Sequence, residues 1–181
     1  MKQIFLMACL AFALAACNSE TKNAGTADKP AEVTGAKIEY PFTPPTPYRG
    51  WQIGSEQNTV VAMNALKAWT DKDFAKLGAN IGDSLDITFD GFKAKMIRDS
   101  AVNFLKTQRQ NYADVAITMY DWESVISADK KVEYVTMWYK EAWTDMKGVK
   151  DSLNVVDDCK IANGKMIELD EKIQHFPAKK K

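Results

Sequence analysis

The chain has 181 residues and a balanced charge, with 24 basic and 24 acidic residues. A strongly basic surface is the electrostatic footprint of nucleic-acid binding, so this balance argues against a nucleic-acid partner. The length fits one domain with appended segments, and a domain of about 150 residues buries enough surface to fold without disulfides.

Residues 1–16 have the pattern of a secretory signal peptide, with a positive start, an apolar stretch and small residues at its end. The apolar stretch is shorter than the ~20 residues that span a bilayer. Leu14-Ala15-Ala16-Cys17 resembles the lipoprotein signal motif of bacteria, in which the cysteine is lipidated and becomes the new N-terminus. We therefore expect Cys17 to anchor the protein to a membrane of the bacterial cell envelope, the outer membrane in a Gram-negative cell. The alternative is an ordinary cleaved leader with a chance cysteine.

A lipidated Cys17 also accounts for the cysteine count. Cys9 leaves with the leader, so Cys159 has no partner for an intramolecular disulfide. A lone thiol is a candidate nucleophile. Cys159 nevertheless alternates with Val155 and Ile161, a pattern that favours a small buried apolar side chain.

Two segments separate the leader from the domain. Residues 17–37 are polar, lack an apolar period and predict a flexible tether. Residues 38–53 form an arm in which prolines alternate with aromatic side chains, namely Tyr40, Phe42, Tyr48 and Trp51. Proline favours extended chain, and we expect the aromatic groups to lie along the domain surface. A proline-rich ligand for a partner protein is the alternative. The basic tail, residues 178–181, is expected to be solvated.

The domain, residues 54–177, opens with helical patterns. Ser55 is placed as the N-cap of a first helix. One face of this helix has helical spacing and comprises Asn58, Val61, Ala62, Ala65, Leu66 and Trp69. Asp73 is placed as the cap of a short second helix that Gly78 and Gly82 end. Ser100 is placed as the cap of a third helix that continues through Tyr112.

Strand patterns follow and dominate the C-terminal half. Short strands at 85–89 and 92–97 are joined by Asp90-Gly91, and long strands are predicted at 113–127, 131–144, 149–161 and 165–176. Asn163-Gly164 is the strongest hairpin signal, because a type I′ turn needs positive φ at both residues. Helices followed by runs of strands predict an α+β fold.

The predicted strand 131–144 carries large side chains on both faces, so its sheet needs two covers. The helices supply one. The aromatic arm or a second copy of the domain supplies the other, and we expect a symmetric homodimer. Lys140 and Glu141 fall on opposite faces, so one of them is expected near a buried region.

Three segments resemble the SnoaL-like group of the nuclear transport factor 2-like superfamily: LKAWTDKDFAKLGANIGDSLDITFDG, the third helix at 99–112, and VVDDCKIANGKMIELDEKIQHF. The resemblance covers about residues 56–176. It implies a cone-shaped, strongly curved, mostly antiparallel sheet packed on three N-terminal helices, with a pocket at the open end. The superfamily includes isomerases, cyclases, dehydratases, epoxide hydrolases and members without catalysis, so the fold alone does not assign a function.

The resemblance and the alternation pattern suggest three catalytic candidates. In ketosteroid isomerases the base is an Asp in an Asp-Pro-X-Gly turn after the first strand, and Asp90 stands in about that place, without the proline. A turn residue is the alternative. Glu171 and His175 share a predicted strand face with Ile167 and Leu169, but lie ~13 Å apart by strand rise and cannot form a dyad. For His175, the alternative is a frayed strand end.

Aromatic candidates for ligand contact are Trp69, Tyr112 and Trp138. The chain has one histidine, which excludes a two-histidine dehydratase site and a His-rich metal site. Neither a metal nor another cofactor is expected.

Two functions remain. We expect a module that binds a small apolar ligand or a partner without catalysis, because no recognisable catalytic set is present. The alternative is a proton-transfer enzyme of the isomerase or cyclase type, in which desolvation raises the pKa of a pocket carboxylate.

Overall fold

The computed structural model describes residues 39–44 and 46–175, without the side chain of His175. The described residues before Pro44 belong to a separate unit and contain no helix or strand. The helices and strands all belong to the unit that begins at Pro44. Cys17, the tether and the basic tail lie outside the described residues. None of the described helices combines the length and apolar character that crossing a membrane requires.

Within these residues the chain forms three helices and seven strands. In chain order they are β1 (Gln52–Ile53), α1 (Glu56–Thr70), α2 (Phe74–Asn80), β2 (Ile81–Phe89), β3 (Phe92–Ile97), α3 (Arg98–Arg109), β4 (Tyr112–Ile126), β5 (Glu133–Asp145), β6 (Lys150–Ala162) and β7 (Lys165–His175). The strands form one sheet in the order β1-β4-β5-β6-β7-β2-β3. All neighbouring pairs are antiparallel except β2 and β7. The predicted α+β class, with a curved, mostly antiparallel sheet on three helices, is confirmed.

The core lies between the helices and the inner face of this sheet. Helix α1 contributes small side chains, Ala62, Ala65 and Ala68, which let its backbone approach the strands closely. The sheet contributes larger ones, among them Leu85, Ile87, Val135, Met137, Tyr139 and Val155. Each large apolar side chain that is fully buried stabilises the fold by about 1.5–3 kcal/mol. One layer of helices therefore covers one face of the sheet.

The β6–β7 hairpin has the turn that the sequence predicts. Asn163 has φ 52° and Gly164 has φ 67°, as a type I′ turn requires. A Cβ atom added to Gly164 would meet no atom within 4 Å. Glycine is therefore favoured here by backbone conformation and not by lack of space.

Three predicted helix boundaries are wrong. Helix α3 ends at Arg109, and Tyr112, which the sequence places in this helix, is the first residue of β4. Helix α3 begins at Arg98, directly after β3, so Ser100 lies in its first turn and is not its cap. The Arg98 side chain donates to the carbonyl oxygens of Ile81 and Gly82, which fixes the junction earlier in the chain than the sequence suggests. Helix α2 continues through Gly78. A Cβ atom there would lie 3.4 Å from Val102 Cγ2 of α3, so this glycine permits helix–helix contact and does not end the helix.

The predicted alternation on β7 fails at its start. Lys160 pairs with Glu168 but Ile161 pairs with Met166, so Ile167 is an extra residue in a β-bulge. Met166 is consequently buried in the core, where the sequence placed Ile167. From Leu169 onward the predicted faces are correct.

The bulge has a counterpart on β2. A Cβ atom on Gly82 would lie 2.8 Å from Ile167 Cγ2. Gly82 therefore leaves the space that the displaced side chain of Ile167 occupies, and it does not serve as the helix end that the sequence suggested.

The outer face of the sheet is mixed in character. Trp51 of the arm packs edge-on against Tyr134 of β5, with ring centroids 6.1 Å apart. Beside these rings, Lys172 Nζ donates to Asp158 at 2.7 Å and to Asp170 at 2.9 Å. Trp51 thus covers part of this face, and ion pairs occupy another part of it. Tyr48 of the same arm is 77% exposed, so the expectation that the aromatic side chains of the arm lie along the domain surface is not met at Tyr48.

Candidate functional site

A cavity of about 160 Å³ lies between the helices and the inner face of the sheet. The helices line it with apolar side chains, namely Ala62, Ala65, Leu66, Trp69, Leu77 and Leu105. The sheet adds Phe89, Met137, Met166 and Leu169. An engineered apolar cavity of about 150 Å³ admits benzene, so this one has room for a molecule with a single ring.

Three acidic side chains form the polar wall of the cavity: Glu141 on β5, Asp157 on β6 and Glu171 on β7. Asp157 and Glu171 are direct cross-strand partners in the antiparallel β6–β7 pair. Directly opposed residues have Cβ atoms about 4.5–5.5 Å apart on the same face of the sheet. Negative charges on two such neighbouring side chains repel, so the pair disfavours double ionisation.

Asp157 is the most buried of the three, with 4% of its surface exposed. Its Oδ2 accepts a hydrogen bond of 2.9 Å from the hydroxyl of Tyr139, which is also buried. Its Oδ1 is buried without a hydrogen-bond partner among the described residues. An unsatisfied buried polar atom costs about 1–3 kcal/mol, and such atoms are rare in folded proteins.

Burial shifts the proton equilibria of all three acids. Removal from water raises the pKa of Glu141 to about 7, against a smaller lowering by the positive charge of Arg109. Burial raises the pKa of Glu171 to about 8, and the charges of Asp157 and Glu141 add to the shift. Burial likewise raises the pKa of Asp157, although the hydrogen bond from Tyr139 opposes it. The cluster therefore holds protons near neutral pH.

Arg109 does not neutralise this cluster by direct contact. Arg109 of α3 is 3% exposed, and its guanidinium donates to the carbonyl oxygens of Thr70 and Tyr112. It also lies over the ring of Trp69, 5.8 Å from the centroid. Its role is to join α1, α3 and β4 at the rim of the cavity. Within the described part of the chain, none of the three acids forms a salt bridge.

Three of the residues singled out in the sequence line the cavity: Trp69, Tyr112 and Glu171. Trp138 does not, because it alternates with Met137 and Tyr139 and so falls on the outer face, opposite Val156. Its proposed ligand contact is therefore wrong for this cavity.

The other two catalytic candidates are Asp90 and His175. Asp90 lies in the β2–β3 turn with φ 31°, and its neighbour Phe89 reaches the cavity wall instead. His175 is the last residue of β7, and its side chain is not described. Among the catalytic candidates whose side chains are described, Glu171 lines the cavity and Asp90 does not.

Sequence reasoning missed Asp157 and Tyr139. The signal was present, because Asp157 lies in the same alternation that places Cys159 with Val155 and Ile161 on the inner face. An acidic residue within an inward-facing run indicates a buried carboxyl.

Cys159 itself is buried, as predicted. Burial raises the pKa of its thiol, which keeps the sulfur protonated and a poor nucleophile. Among residues 39–44 and 46–175, no group of three or more His, Cys, Asp or Glu side chains is arranged to hold a metal ion.

No family model matches the sequence, and no curated protein matches it. Solved structures do match the fold. An epoxide hydrolase of M. tuberculosis, described as LEH-like, shares 16% identity over 65% of this chain and 83% of its own, with a TM-score of 0.51. A protein from Shewanella putrefaciens assigned as a SnoaL-like polyketide cyclase shares 15% identity over 66% of this chain and 80% of its own, with a TM-score of 0.53.

A third match carries no assigned activity. It is a nuclear transport factor 2-like protein of unknown function from Burkholderia pseudomallei, with 13% identity over 66% of this chain and 92% of its own and a TM-score of 0.54. Structures at these identities establish the fold and leave the function open. The helices, the sheet order and these matches together show that the chain has the nuclear transport factor 2-like fold that SnoaL-like proteins share.

Proposed function

We propose that the chain binds a compact, largely apolar molecule in this cavity, with a polar group of that molecule held by Glu141, Asp157 and Glu171. The observation that carries the proposal is the division of the cavity wall. One side is apolar, and the other ends in a buried acid cluster in which Asp157 Oδ1 lacks a partner. Ligand pockets commonly combine an apolar lining with a few convergent polar groups.

Methyl NMR tests this binding directly. Met137 and Met166 line the cavity, whereas Met146 is 69% exposed on the β5–β6 turn and serves as an internal control. Toluene and benzyl alcohol are suitable probes of the cavity's size. We expect both to shift the Met137 and Met166 signals in a saturable way and to leave the Met146 signal in place.

A variant that fills the cavity separates specific binding from surface adsorption. Ala65 lines the cavity from α1, whereas Val60 of the same helix is exposed. Ala65→Leu should weaken binding by at least about tenfold, since the added methyl groups occupy the ligand's space. Val60→Leu should not change it. Equal binding by Ala65→Leu and the unmodified chain would contradict the proposal.

Proton transfer is the second candidate function, and one observation favours it. Three carboxyl groups with raised pKa values meet in one water-poor cavity, and a general acid or base works best when its pKa is near the operating pH. In this reading the Asp157–Glu171 pair removes a proton from a bound carbon acid and returns it elsewhere, as in isomerases and cyclases. The epoxide hydrolase and the polyketide cyclase assignments of the structural neighbours are compatible with acid–base chemistry in such a fold.

Deuterium incorporation tests the second candidate. Small cyclic ketones would be incubated with the protein in D₂O, and the exchange of α-protons would be followed by NMR. Glu171→Gln should abolish protein-dependent exchange, and Glu168→Gln on the outer face of the same strand should preserve it. Exchange that is unaffected by Glu171→Gln, or no exchange with any ketone that binds, would leave binding without catalysis as the function.

We further propose that the protein acts at the bacterial cell envelope, held there by lipid on Cys17, and that its outer sheet face meets a second copy. The support for the anchor is the Leu-Ala-Ala-Cys motif. The support for the dimer is the pair of aromatic side chains on the outer face of β5, Tyr134 and Trp138. Sedimentation of the purified protein should show a dimer that Trp138→Lys dissociates; a monomer at high concentration would rule the dimer out.

A further inference from the structure

The acid cluster also constrains the chemistry of the ligand, an inference that rests on the proposed binding function. Asp157 and Glu171 face each other directly across β6 and β7, and Glu141 faces the same cavity from β5. In the described part of the protein, the side chains of Glu141 and Glu171 make no hydrogen bond to another group. The cavity wall thus presents up to six carboxyl oxygens, of which one, Asp157 Oδ2, is engaged by the protein.

The protein supplies no counter-charge inside the cavity. The guanidinium group of Arg109 donates hydrogen bonds to two backbone carbonyl groups. Lys172 pairs with Asp158 and Asp170 on the opposite face of the sheet. A buried carboxylate is stable only when it is paired or protonated. Whenever the acid cluster is ionised, the positive charge that pairs with it must therefore come from the ligand.

We propose that the natural ligand is a compact organic cation, a primary ammonium group on an apolar body of about the size of one ring. An ammonium group carries three N–H donors and one positive charge. It therefore satisfies the free Asp157 Oδ1 and relieves the repulsion between Asp157 and Glu171 at the same time. The apolar wall formed by α1 and the sheet then encloses the ring.

Binding of such a cation displaces a proton. The free cluster holds protons near neutral pH, and the bound cluster must be ionised to pair with the ammonium group. The proton leaves a carboxyl group for the buffer, and the ammonium group keeps its own. The affinity for the amine therefore rises as the pH rises through the range in which Glu141 and Glu171 titrate, about 7 to 8.

The other titratable groups at the cavity do not reverse the rise of amine affinity with pH. The ones that line it besides the three acids are Tyr112 on β4, Tyr139 on β5 and Cys159 on β6. Burial raises the pKa of each, so all three stay neutral through this range. Arg109 stays charged, and the described residues of α1 and α2 contribute no titratable side chain to the cavity wall.

Calorimetry with matched probes tests the inference on the full-length protein. Benzylamine, benzyl alcohol and toluene share a ring and differ in charge and hydrogen bonding. At about pH 8.5, where an alkylammonium group is still protonated, benzylamine should bind at least about tenfold more tightly than benzyl alcohol. At about pH 6 this preference should shrink by about tenfold or more, because the cluster is then protonated. The heat of binding should also vary with the ionisation enthalpy of the buffer, as proton release requires.

Variants at Glu171 and Glu168 complete the test. Glu171→Gln should reduce the preference for benzylamine over benzyl alcohol, and Glu168→Gln, the same change on the outer face of β7, should retain it. Benzyl alcohol binding as tightly as benzylamine at both pH values would overturn the cationic ligand and leave the cavity's binding function standing. Failure of all three probes to bind would overturn the binding function as well.

Discussion

The hydroxyl group of Tyr139 on β5 donates a hydrogen bond of 2.9 Å to Asp157 Oδ2 on β6, and both side chains are buried. This bond is the protein's own stabilisation of the ionised form of Asp157. It opposes the effect of burial on the pKa of that carboxyl, and it leaves Oδ1 as the oxygen without a hydrogen-bond partner.

Removal of this hydroxyl should destabilise the protein most at high pH. Tyr139→Phe leaves both oxygens of Asp157 without a donor, and an unsatisfied buried group costs about 1–3 kcal/mol. Urea denaturation at about pH 5.5 and about pH 8.5 measures the change, which should be larger at the higher pH, where ionisation of Asp157 is favoured. Tyr134→Phe is the matched control on the outer face of the same strand. An equal loss at both pH values would mean that Tyr139 contributes by packing alone.

The stability of the protein should fall as the pH rises from about 4 to about 8 through the contribution of the acid cluster. Glu141 and Glu171 have folded pKa values of about 7 and about 8, above the ordinary value of a glutamate. The folded state therefore holds more protons than the unfolded state in this range, and the free energy of unfolding decreases with rising pH. The contribution of Glu141 and Glu171 to stability is present in full below the pKa of a glutamate in the unfolded chain. It is lost as the pH rises through the pKa values that the two groups have in the folded state.

Glu171→Gln should flatten this dependence, because an amide has no charge to bury. We expect the variant to be more stable than the unmodified chain at about pH 8.5, by on the order of 1–3 kcal/mol, and to differ little at about pH 5. Glu168→Gln, which removes the outer-face partner of Lys160, should not reproduce the gain. A Glu171→Gln variant that is less stable at the higher pH would show that Glu171 is a satisfied, ionised group.

Gly164→Val should destabilise the β6–β7 hairpin. The backbone has φ 67° at this position, where a β-branched residue is strained, and a Cβ atom would meet no neighbour within 4 Å. We expect a loss of about 1 kcal/mol or more in the free energy of unfolding. Asn163→Gly is the control, since glycine accepts the φ of 52° found there. A neutral Gly164→Val would contradict the turn geometry.

Lipidation of Cys17 is testable by mass spectrometry of the protein isolated from bacterial membranes. We expect a mature N-terminus at Cys17 with attached acyl chains, and release of the protein into the soluble fraction after Cys17→Ala, since acyl chains add ~0.8 kcal/mol of membrane affinity per buried CH₂. An unmodified cysteine or a retained leader would contradict the anchor.

The class of the fold and the last hairpin could be predicted from the sequence because they depend on local signals. Asn163-Gly164 predicts its own turn. Apolar side chains at alternate positions of the long strands predict a sheet with one buried face. The acid cluster depends on long-range register and could not be predicted in full. Glu171 was found by alternation on its own strand, but its pairing with Asp157 requires the register of β6 against β7.

The errors have the same origin. The bulge at Ile167 depends on the space above Gly82 of another strand, and the start of α3 depends on Arg98 reaching the carbonyl groups of Ile81 and Gly82. Neither contact leaves a signal in the local pattern. Trp138 is a further case, because the local pattern shows that its strand alternates but not which of the two faces meets the helices.

Carbon-13 NMR of the side-chain carboxyl groups tests the account most directly. A pH titration of the protein would follow the carboxyl carbons of Glu141, Asp157 and Glu171, assigned by Glu→Gln and Asp→Asn variants. We predict that at least one group of the cluster titrates near pH 7 to 8, and that saturation with benzylamine moves its midpoint downward. Titration of all three groups near the ordinary value of about 4, with or without the amine, would contradict the account.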